Sequence, residues 1–350
     1  MPVTAETAYI PVNVITGFLG SGKTTLLRQL LSAPALADTA VLVNEFGEVG
    51  LDHHLLQRLD GEIVLLQSGC VCCTIRGDLS LAIRDLYERR ERGEIAFRRL
   101  VVETTGLADP VPILSTVMAE PVIRHHFRLG NVVTTIDGVN GLLHLARQEE
   151  SAKQVAVADR IVITKTDIAD ASNICALRGR LTELNPAAPQ LEAAPDAALD
   201  PDLLLTRDLY DLDGRAEEVR QWLAIENQRA TAPHHRHDNV SRHGADIHAF
   251  CLRYERPIDW NVFGVWVTML LNRHGNDVLR VKGMLNVATS SGPVVIHGVQ
   301  HLIHPPDHLP EWPDDDHSSR IVFIVRGLSR DLIERSFAAF AGLVARAEAG

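Results

Sequence analysis

No apolar run in this sequence approaches the ~18–20 residues that a membrane-spanning helix needs. An excess of positive charge is also missing, because 34 Lys and Arg residues stand against 45 Asp and Glu residues, a net charge of −11. This balance argues against nucleic acid or an anionic membrane surface as the main partner. The first residues contain no basic stretch followed by an apolar one, so we expect no export signal and a cytoplasmic location.

Cysteine is scarce, with five residues, and their distribution argues against a disulfide framework. Cys70, Cys72 and Cys73 fall within four positions, whereas Cys175 and Cys251 stand alone. An odd number of clustered cysteines, in a chain with no export signal, favours thiol or metal chemistry. We interpret the two isolated cysteines as core residues.

The remaining composition, 46% hydrophobic and 23% charged over 350 residues, is that of a globular protein with two domains. Short apolar strands alternate with helical patterns in the first two-thirds. The predicted strands are Tyr9–Thr16, Ala40–Asn44, Ile63–Leu66, Leu100–Glu103, Asn131–Asp137 and Arg160–Thr164. The predicted helices are Lys23–Leu31, Asp78–Arg92, Pro112–Glu120, Ser151–Ala158 and Asn173–Leu184. The pattern predicts an α/β domain, a parallel sheet with helices on both faces, over residues 1–225.

A polar stretch without periodicity, residues 226–245, interrupts this pattern and is predicted to be a linker. His234, His235 and His237 lie within it and could bind Zn²⁺, Ni²⁺ or Co²⁺ loosely, or be solvated polar residues. The order of apolar strand and helix patterns over residues 246–350 predicts a smaller C-terminal α+β domain. It contains a helix that begins after Asp259.

A phosphate-binding motif follows the first predicted strand. Residues 17–24, GFLGSGKT, match the pattern G-x-x-x-x-G-K-[ST] between a strand and a helix, which is the P-loop of P-loop NTPases. Backbone amides would surround the phosphate oxygens, Lys23 would reach the β and γ phosphates, and the Thr24 hydroxyl would bind Mg²⁺. The residues assigned to the nucleotide phosphates are Gly17, Gly20, Ser21, Gly22, Lys23, Thr24 and Thr25.

Two further strand ends resemble nucleotide motifs. Glu103 ends an apolar strand, where it could hold the Mg²⁺ shell or orient the attacking water, and Gly106 follows on a loop that could sense the γ-phosphate. After the strand Arg160–Thr164, Asp167 could accept hydrogen bonds from N1–H and the exocyclic amine of guanine. The stem of Lys165 could cover the face of the base.

The segment GCVCC, residues 69–73, predicts a thiol site. In an extended segment Cys70 and Cys72 point to one side, where two thiolates could chelate a soft metal, and Cys73 points to the other. Three cysteines do not complete a tetrahedral zinc site, and an open site suits metal transfer. Buried inert cysteines and a redox dithiol remain alternatives.

Five motifs in order carry a resemblance to a known family. They are GFLGSGKTT (17–25), NEFGEVGLD (44–52), GCVCC (69–73), ETTGLADP (103–110) and TKTD (164–167). The chain resembles the CobW-type GTPases, relatives of the nickel-insertion GTPases for urease and hydrogenase.

That resemblance implies a GTP-dependent metallochaperone that uses GTP and Mg²⁺, carries Zn²⁺ or in some branches Co²⁺, and serves a client metalloprotein. It makes Cys72 the leading metal ligand, followed by Cys70 and Cys73, with Glu48 as an oxygen ligand. Thr164 stands where the family usually has Asn, so one base contact differs. Val43 stands where some relatives have an acidic residue.

The sequence motifs are compatible with two other functions. A P-loop kinase or biosynthetic enzyme would need an arginine-rich lid, and none is evident between Glu103 and Asp167. A metal sensor that holds GTP only as a structural ligand would show the same motifs. The identity of the client and the existence of a homo-oligomer are left open.

Overall fold

The computed structural model describes residues 9–45, 63–67, 74–193, 199–206 and 247–348. These residues fall into two compact units. The first unit takes its residues from Met1–Leu145, Ala158–Arg178 and Pro189–Gly214, and the second from Ala146–Val157, Gly179–Ala188 and Arg215–Gly350. The predicted linker, 226–245, lies outside the described residues. No helix in the described ranges combines the length and apolarity needed to cross a membrane.

One sheet of seven strands, counted over the described residues, is parallel throughout. Its strands are β1 (Ile10–Gly17), β2 (Thr39–Glu45), β3 (Ile63–Gln67), β4 (Arg99–Glu103), β5 (Phe127–Asp137), β6 (Arg160–Thr164) and β7 (Gln190–Glu192). Their spatial order is β3-β2-β4-β1-β5-β6-β7. Strand β1 therefore lies between β4 and β5, where the direction of the chain across the sheet reverses.

Helices connect these strands, as a parallel sheet requires. They are α1 (Lys23–Leu31), α2 (Thr74–Glu91), α3 (Val111–Ala119), α4 (Gly141–Arg147), α5 (Glu149–Ala156) and α6 (Ala171–Leu184). The predicted bounds of α1 and β6 agree with the structure, and those of the other predicted elements differ by four residues or fewer at each end. Helix α4 and the three-residue strand β7 were not predicted.

The apolar strands of the sheet are buried, as the run of consecutive apolar residues predicted. Strand β6 is buried at every position, and β4 is buried at all but its first. One core cluster packs α1 against the sheet; it includes Ile15, Leu26, Leu27, Leu30, Val41, Val43, Val101, Val133 and Val162. In β4 and β6 the polar residues stand at the strand ends, whereas β1 and β5 also bury Asn13 and Asn131 in their interiors.

The interpretation of the two isolated cysteines as core residues is wrong. Cys175 is exposed on α6, and Cys251 is half-buried on a strand of the second unit. In α6 the buried positions are taken by Leu177, Leu181 and Leu184, which leaves Cys175 on the solvent side of the helix.

The second unit contains an antiparallel sheet, in agreement with the predicted α+β domain. Its strands are β8 (Ile247–Tyr254), β9 (Val278–Leu285), β10 (Val294–Val299), β11 (Leu302–Ile303), β12 (Asp307–His308) and β13 (Ser319–Arg326). Helices α7 (Trp260–His274) and α8 (Arg330–Glu348) cover one face. As predicted, Asp259 caps α7, and its carboxylate accepts a hydrogen bond from the Val262 amide at 3.0 Å.

Candidate functional site

Four neighbouring strands bring polar residues to one edge of the parallel sheet. Because β4, β1, β5 and β6 are adjacent and parallel, their carboxyl ends meet where the strand order reverses, the usual ligand position in such sheets. Glu103 ends β4 in register with Ile15 of β1, and Asp137 ends β5 in register with Thr164 of β6. The motifs identified in the sequence therefore lie side by side.

The P-loop is folded for anion binding. Gly20 and Gly22 adopt left-handed backbone conformations with φ of 70° and 90°, which glycine tolerates without strain and which concave, amide-lined phosphate loops use. The Lys23 side chain is 9% exposed, and its amine donates to the carbonyl oxygens of Gly17 at 2.9 Å and Phe18 at 3.2 Å. These bonds hold the amine against the loop at the start of α1, whose positive end faces the same space.

Thr24 and Glu103 are in direct contact. The Thr24 hydroxyl donates to Oε1 of Glu103 at 2.6 Å, and Glu103 is 4% exposed. A hydroxyl and a carboxylate are hard oxygen donors of the kind that Mg²⁺ prefers, and Mg²⁺ commonly takes only one or two protein ligands beside the phosphates. This donor pair therefore fits the predicted magnesium site.

The loop after Glu103 packs against the P-loop. A Cβ atom on Gly106 would lie 2.7 Å from the Cα and backbone nitrogen of Leu19, a distance that side-chain carbon atoms do not tolerate. Only glycine permits this approach. A group bound at the P-loop would thus be next to the Gly106 loop.

Thr164 links the base motif to the P-loop. Its hydroxyl lies 2.8 Å from the carbonyl oxygen of Ser21 and 3.2 Å from that of Ile136. The threonine at this position thus contacts the phosphate loop through a single hydroxyl. Asp167, three residues further on, is exposed, so its carboxylate is open to an incoming base.

Asp137 is a polar residue of this edge that the sequence analysis did not select. It is 3% exposed, and its carboxylate accepts hydrogen bonds from the amides of Val139 at 2.8 Å and Asn140 at 3.1 Å and from the Lys165 amine at 2.7 Å. Burial raises the pKa of Asp137, but the hydrogen bonds from Lys165 and from the two amides outweigh it and hold the pKa below its usual value. The sequence feature that could have identified Asp137 is an acidic residue that ends an apolar strand and precedes a glycine.

The predicted metal ligands Cys70, Cys72, Cys73 and Glu48 lie outside the described residues, as does the linker with its histidines. The structure describes both flanks of the cysteine motif, since β3 ends at Gln67 and α2 begins at Thr74. Among the described residues, no group of three or more His, Cys, Asp or Glu residues is arranged to hold a metal ion.

The fold and the strand ends define the class. A parallel sheet whose first strand runs into a P-loop, with a carboxylate of the adjacent strand hydrogen-bonded to the P-loop threonine, is the arrangement of the P-loop NTPase fold class.

Comparison with known proteins identifies the family within this class. Residues 11–192 match the CobW/HypB/UreG nucleotide-binding domain, and residues 247–341 match the cobalamin synthesis protein cobW C-terminal domain. The chain belongs to the CobW/HypB/UreG family.

Several relatives extend over most of the chain. The zinc chaperone YjiA of Escherichia coli strain K12 is 34% identical over 334 residues, which cover 95% of this chain and 98% of that protein. The zinc-regulated GTPase metalloprotein activator 1 of Schizosaccharomyces pombe is 31% identical over 209 residues, 57% of this chain and 50% of that protein. The crystal structure of Zn(II)-bound YjiA GTPase from E. coli superposes with a TM-score of 0.70 at 28% identity and covers 95% of this chain and 99% of that one.

The link between Thr164 and Ser21 generates a prediction about nucleotide binding. Thr164→Val keeps the shape of the side chain but removes the hydroxyl, so the P-loop loses one support. We expect the Kd for a fluorescent GTP analogue to rise by roughly two- to tenfold, the equivalent of one hydrogen bond. Thr166→Val is the matched control, because that hydroxyl contacts the Ala193 carbonyl at 3.5 Å and not the P-loop. Equal Kd values in the two variants would contradict the role of the link.

Proposed function

We propose that this chain is a GTPase that carries a transition metal, with zinc as the principal cargo and cobalt as the alternative, and delivers it to a client metalloprotein as GTP is hydrolysed. The observation that carries the nucleotide half of the proposal is the contact between Thr24 and Glu103 at the end of the P-loop. The metal half rests on the Cys70-Val71-Cys72-Cys73 motif and on relatives that are named zinc chaperones.

In the proposed reaction water attacks the γ-phosphorus of GTP, and the bond from that phosphorus to the β,γ-bridging oxygen breaks. GDP leaves with the electron pair, and the proton lost by water ends on the products. Lys23 binds the β- and γ-phosphate oxygens, which carry the charge that moves during bond breaking. Thr24 and Glu103 would hold Mg²⁺, which would neutralise part of the phosphate charge. The alternative role proposed for Glu103 is to orient the attacking water.

Guanine selection is assigned to the residues that follow β6. The exposed carboxylate of Asp167 accepts from N1–H and the 2-amino group, a pair of donors that adenine does not offer. The methylene stem of Lys165 covers one face of the base, because its amine is engaged by Asp137. Thr164 fixes the distance between this motif and the phosphate loop.

The cargo site is assigned to thiolates, with Cys72 as the principal ligand, Cys70 and Cys73 beside it, and Glu48 as an oxygen ligand. Thiolates suit Zn²⁺, which is borderline-soft, and a site with fewer than four strong protein ligands releases its metal more readily. A GTP-dependent change in the neighbouring loops would then set when the metal is retained and when it passes to the client.

The phosphate assignment predicts that Lys23→Ala loses at least about tenfold in GTP hydrolysis, since about 1.4 kcal/mol or more is added to the barrier when the cation of the loop is removed. Phosphate release measured at saturating Mg²⁺ is the assay. Lys153→Ala is the control, because that amine pairs with Glu149 at 2.8 Å on α5, outside the P-loop. Unchanged GTP turnover in Lys23→Ala would contradict the assignment of the P-loop as the phosphate site.

The base assignment predicts a change in nucleotide choice. Asp167→Asn exchanges an acceptor for a donor opposite the guanine amine, so GTP should bind more weakly and xanthosine triphosphate more tightly. Competition of the two nucleotides against a fluorescent GTP analogue measures the change. A wild-type protein that prefers ATP to GTP would show that the guanine assignment is wrong.

The metal assignment predicts that Cys72→Ala weakens Zn²⁺ binding far more than Cys175→Ala, which removes an exposed but isolated thiol. Binding should also weaken as pH falls, because protons compete for the sulfur atoms. A chelator competition titration in the apo, GDP and GTP-analogue states should give different affinities.

Linkage then requires Zn²⁺ to change GTP affinity by the same factor, with a coupling free energy of about 1–3 kcal/mol. Equal Zn²⁺ affinities in the three states would leave a GTPase whose thiol motif is not coupled to the nucleotide. Equal losses in Cys72→Ala and Cys175→Ala would contradict the assignment of the cargo site.

A further inference from the structure

The loop that carries the predicted base contacts is held by the end of the neighbouring strand. The Gly138 amide donates to the Thr164 carbonyl oxygen at 2.9 Å, and the side-chain amide of Asn173 donates to the Gly138 carbonyl oxygen at 2.6 Å. Asp137 lies at the centre of these contacts, and its carboxylate pairs with the Lys165 amine at 2.7 Å. The end of β5 and the start of the base loop therefore form one hydrogen-bonded assembly.

Lys165 has an unusual backbone conformation. Its φ is +56°, in the left-handed region that side chains other than those of glycine, Asn and Asp rarely adopt. The Ile168 amide closes the turn by donating to the Lys165 carbonyl oxygen at 3.3 Å. A strained conformation persists only where surrounding contacts hold it. The ion pair with a carboxylate that is 3% exposed is such a contact.

We propose that Asp137 is a positioning residue for guanine selection, which rests on the function proposed above. By holding the Lys165 amine, Asp137 fixes the left-handed turn, and this turn sets the direction in which the chain presents Asp167. The ion pair also directs the Lys165 amine toward β5, so the methylene stem and not the charge is available to the base. Asp137 acts through Lys165 and does not itself touch the nucleotide.

The test compares two variants that break the pair from opposite sides. Asp137→Asn removes the charge at constant size, and Lys165→Met removes the amine but keeps an unbranched stem. In both we expect KM for GTP to rise by roughly tenfold with kcat within about twofold, because binding is lost and chemistry is not. The preference for GTP over inosine triphosphate, which lacks the 2-amino group, should shrink in both.

The double variant separates positioning from a structural role of Asp137 in its own loop. If Asp137 acts through Lys165, Asp137→Asn should add little to Lys165→Met, since the two residues share one interaction. Asp170→Asn is the matched control, because that carboxylate accepts from the Ser172 amide at 2.8 Å in the same loop and does not pair with Lys165. It should keep wild-type KM and selectivity.

The outcomes distinguish this inference from the proposed function. A wild-type protein that does not select GTP over ATP would contradict both the proposed function and this inference. If wild type selects GTP, and Lys165→Met keeps wild-type KM and selectivity, the inference alone is overturned, whether or not Asp137→Asn folds. Additive losses in the double variant would likewise overturn it, since they would assign Asp137 an effect independent of Lys165.

Discussion

The parallel pairing of β1 with β4 on one side and β5 on the other is the constraint on which the site depends. This pairing puts the P-loop between the strand that ends at Glu103 and the strand that ends at Asp137. Glu103 and Asp137 stand at strand ends, whereas polar residues inside β1 and β5, such as Asn13 and Asn131, are buried and compensated by hydrogen bonds. Thr24, in the first turn of α1, needs only this placement to meet Glu103, because the sheet has already fixed the distance between the two chain segments.

Much of this arrangement could be predicted because local and global signals agree. The apolar runs that became β1, β4 and β6 are bounded by glycine, carboxylate or threonine, and the P-loop pattern fixes the start of α1 at Lys23. Helix α4 has only seven residues, too few for a 3.6-residue period to be recognised, and β7 has three. Cys175 was misplaced because an isolated cysteine carries no periodic signal, and its side of α6 is set by the leucines that pack inward.

The polar contacts of the site could not be predicted from the sequence, because they depend on side-chain geometry between segments far apart in the chain. Thr164 and Ser21 are 143 positions apart, and the threonine hydroxyl meets a backbone oxygen that no residue type identifies. Asp137 and Lys165 are 28 positions apart, and neither residue alone indicates the other as its partner. Their pairing follows only from the adjacency of β5 and β6.

The helices that leave the same edge of the sheet offer a route for the coupling that the proposed function requires. Helix α2 begins at Thr74, directly after the cysteines, and α3 begins at Val111, directly after the loop of Gly106. The two helices pack against each other, and Arg84 of α2 pairs with Glu120 at the end of α3. Because packed helices move as rigid bodies and close-packed interfaces deform little, a shift of the Gly106 loop that displaced α3 would act on α2 as well. Because β2, β3 and β4 pair in one parallel sheet, coupling through these two helices would need no rearrangement of the core.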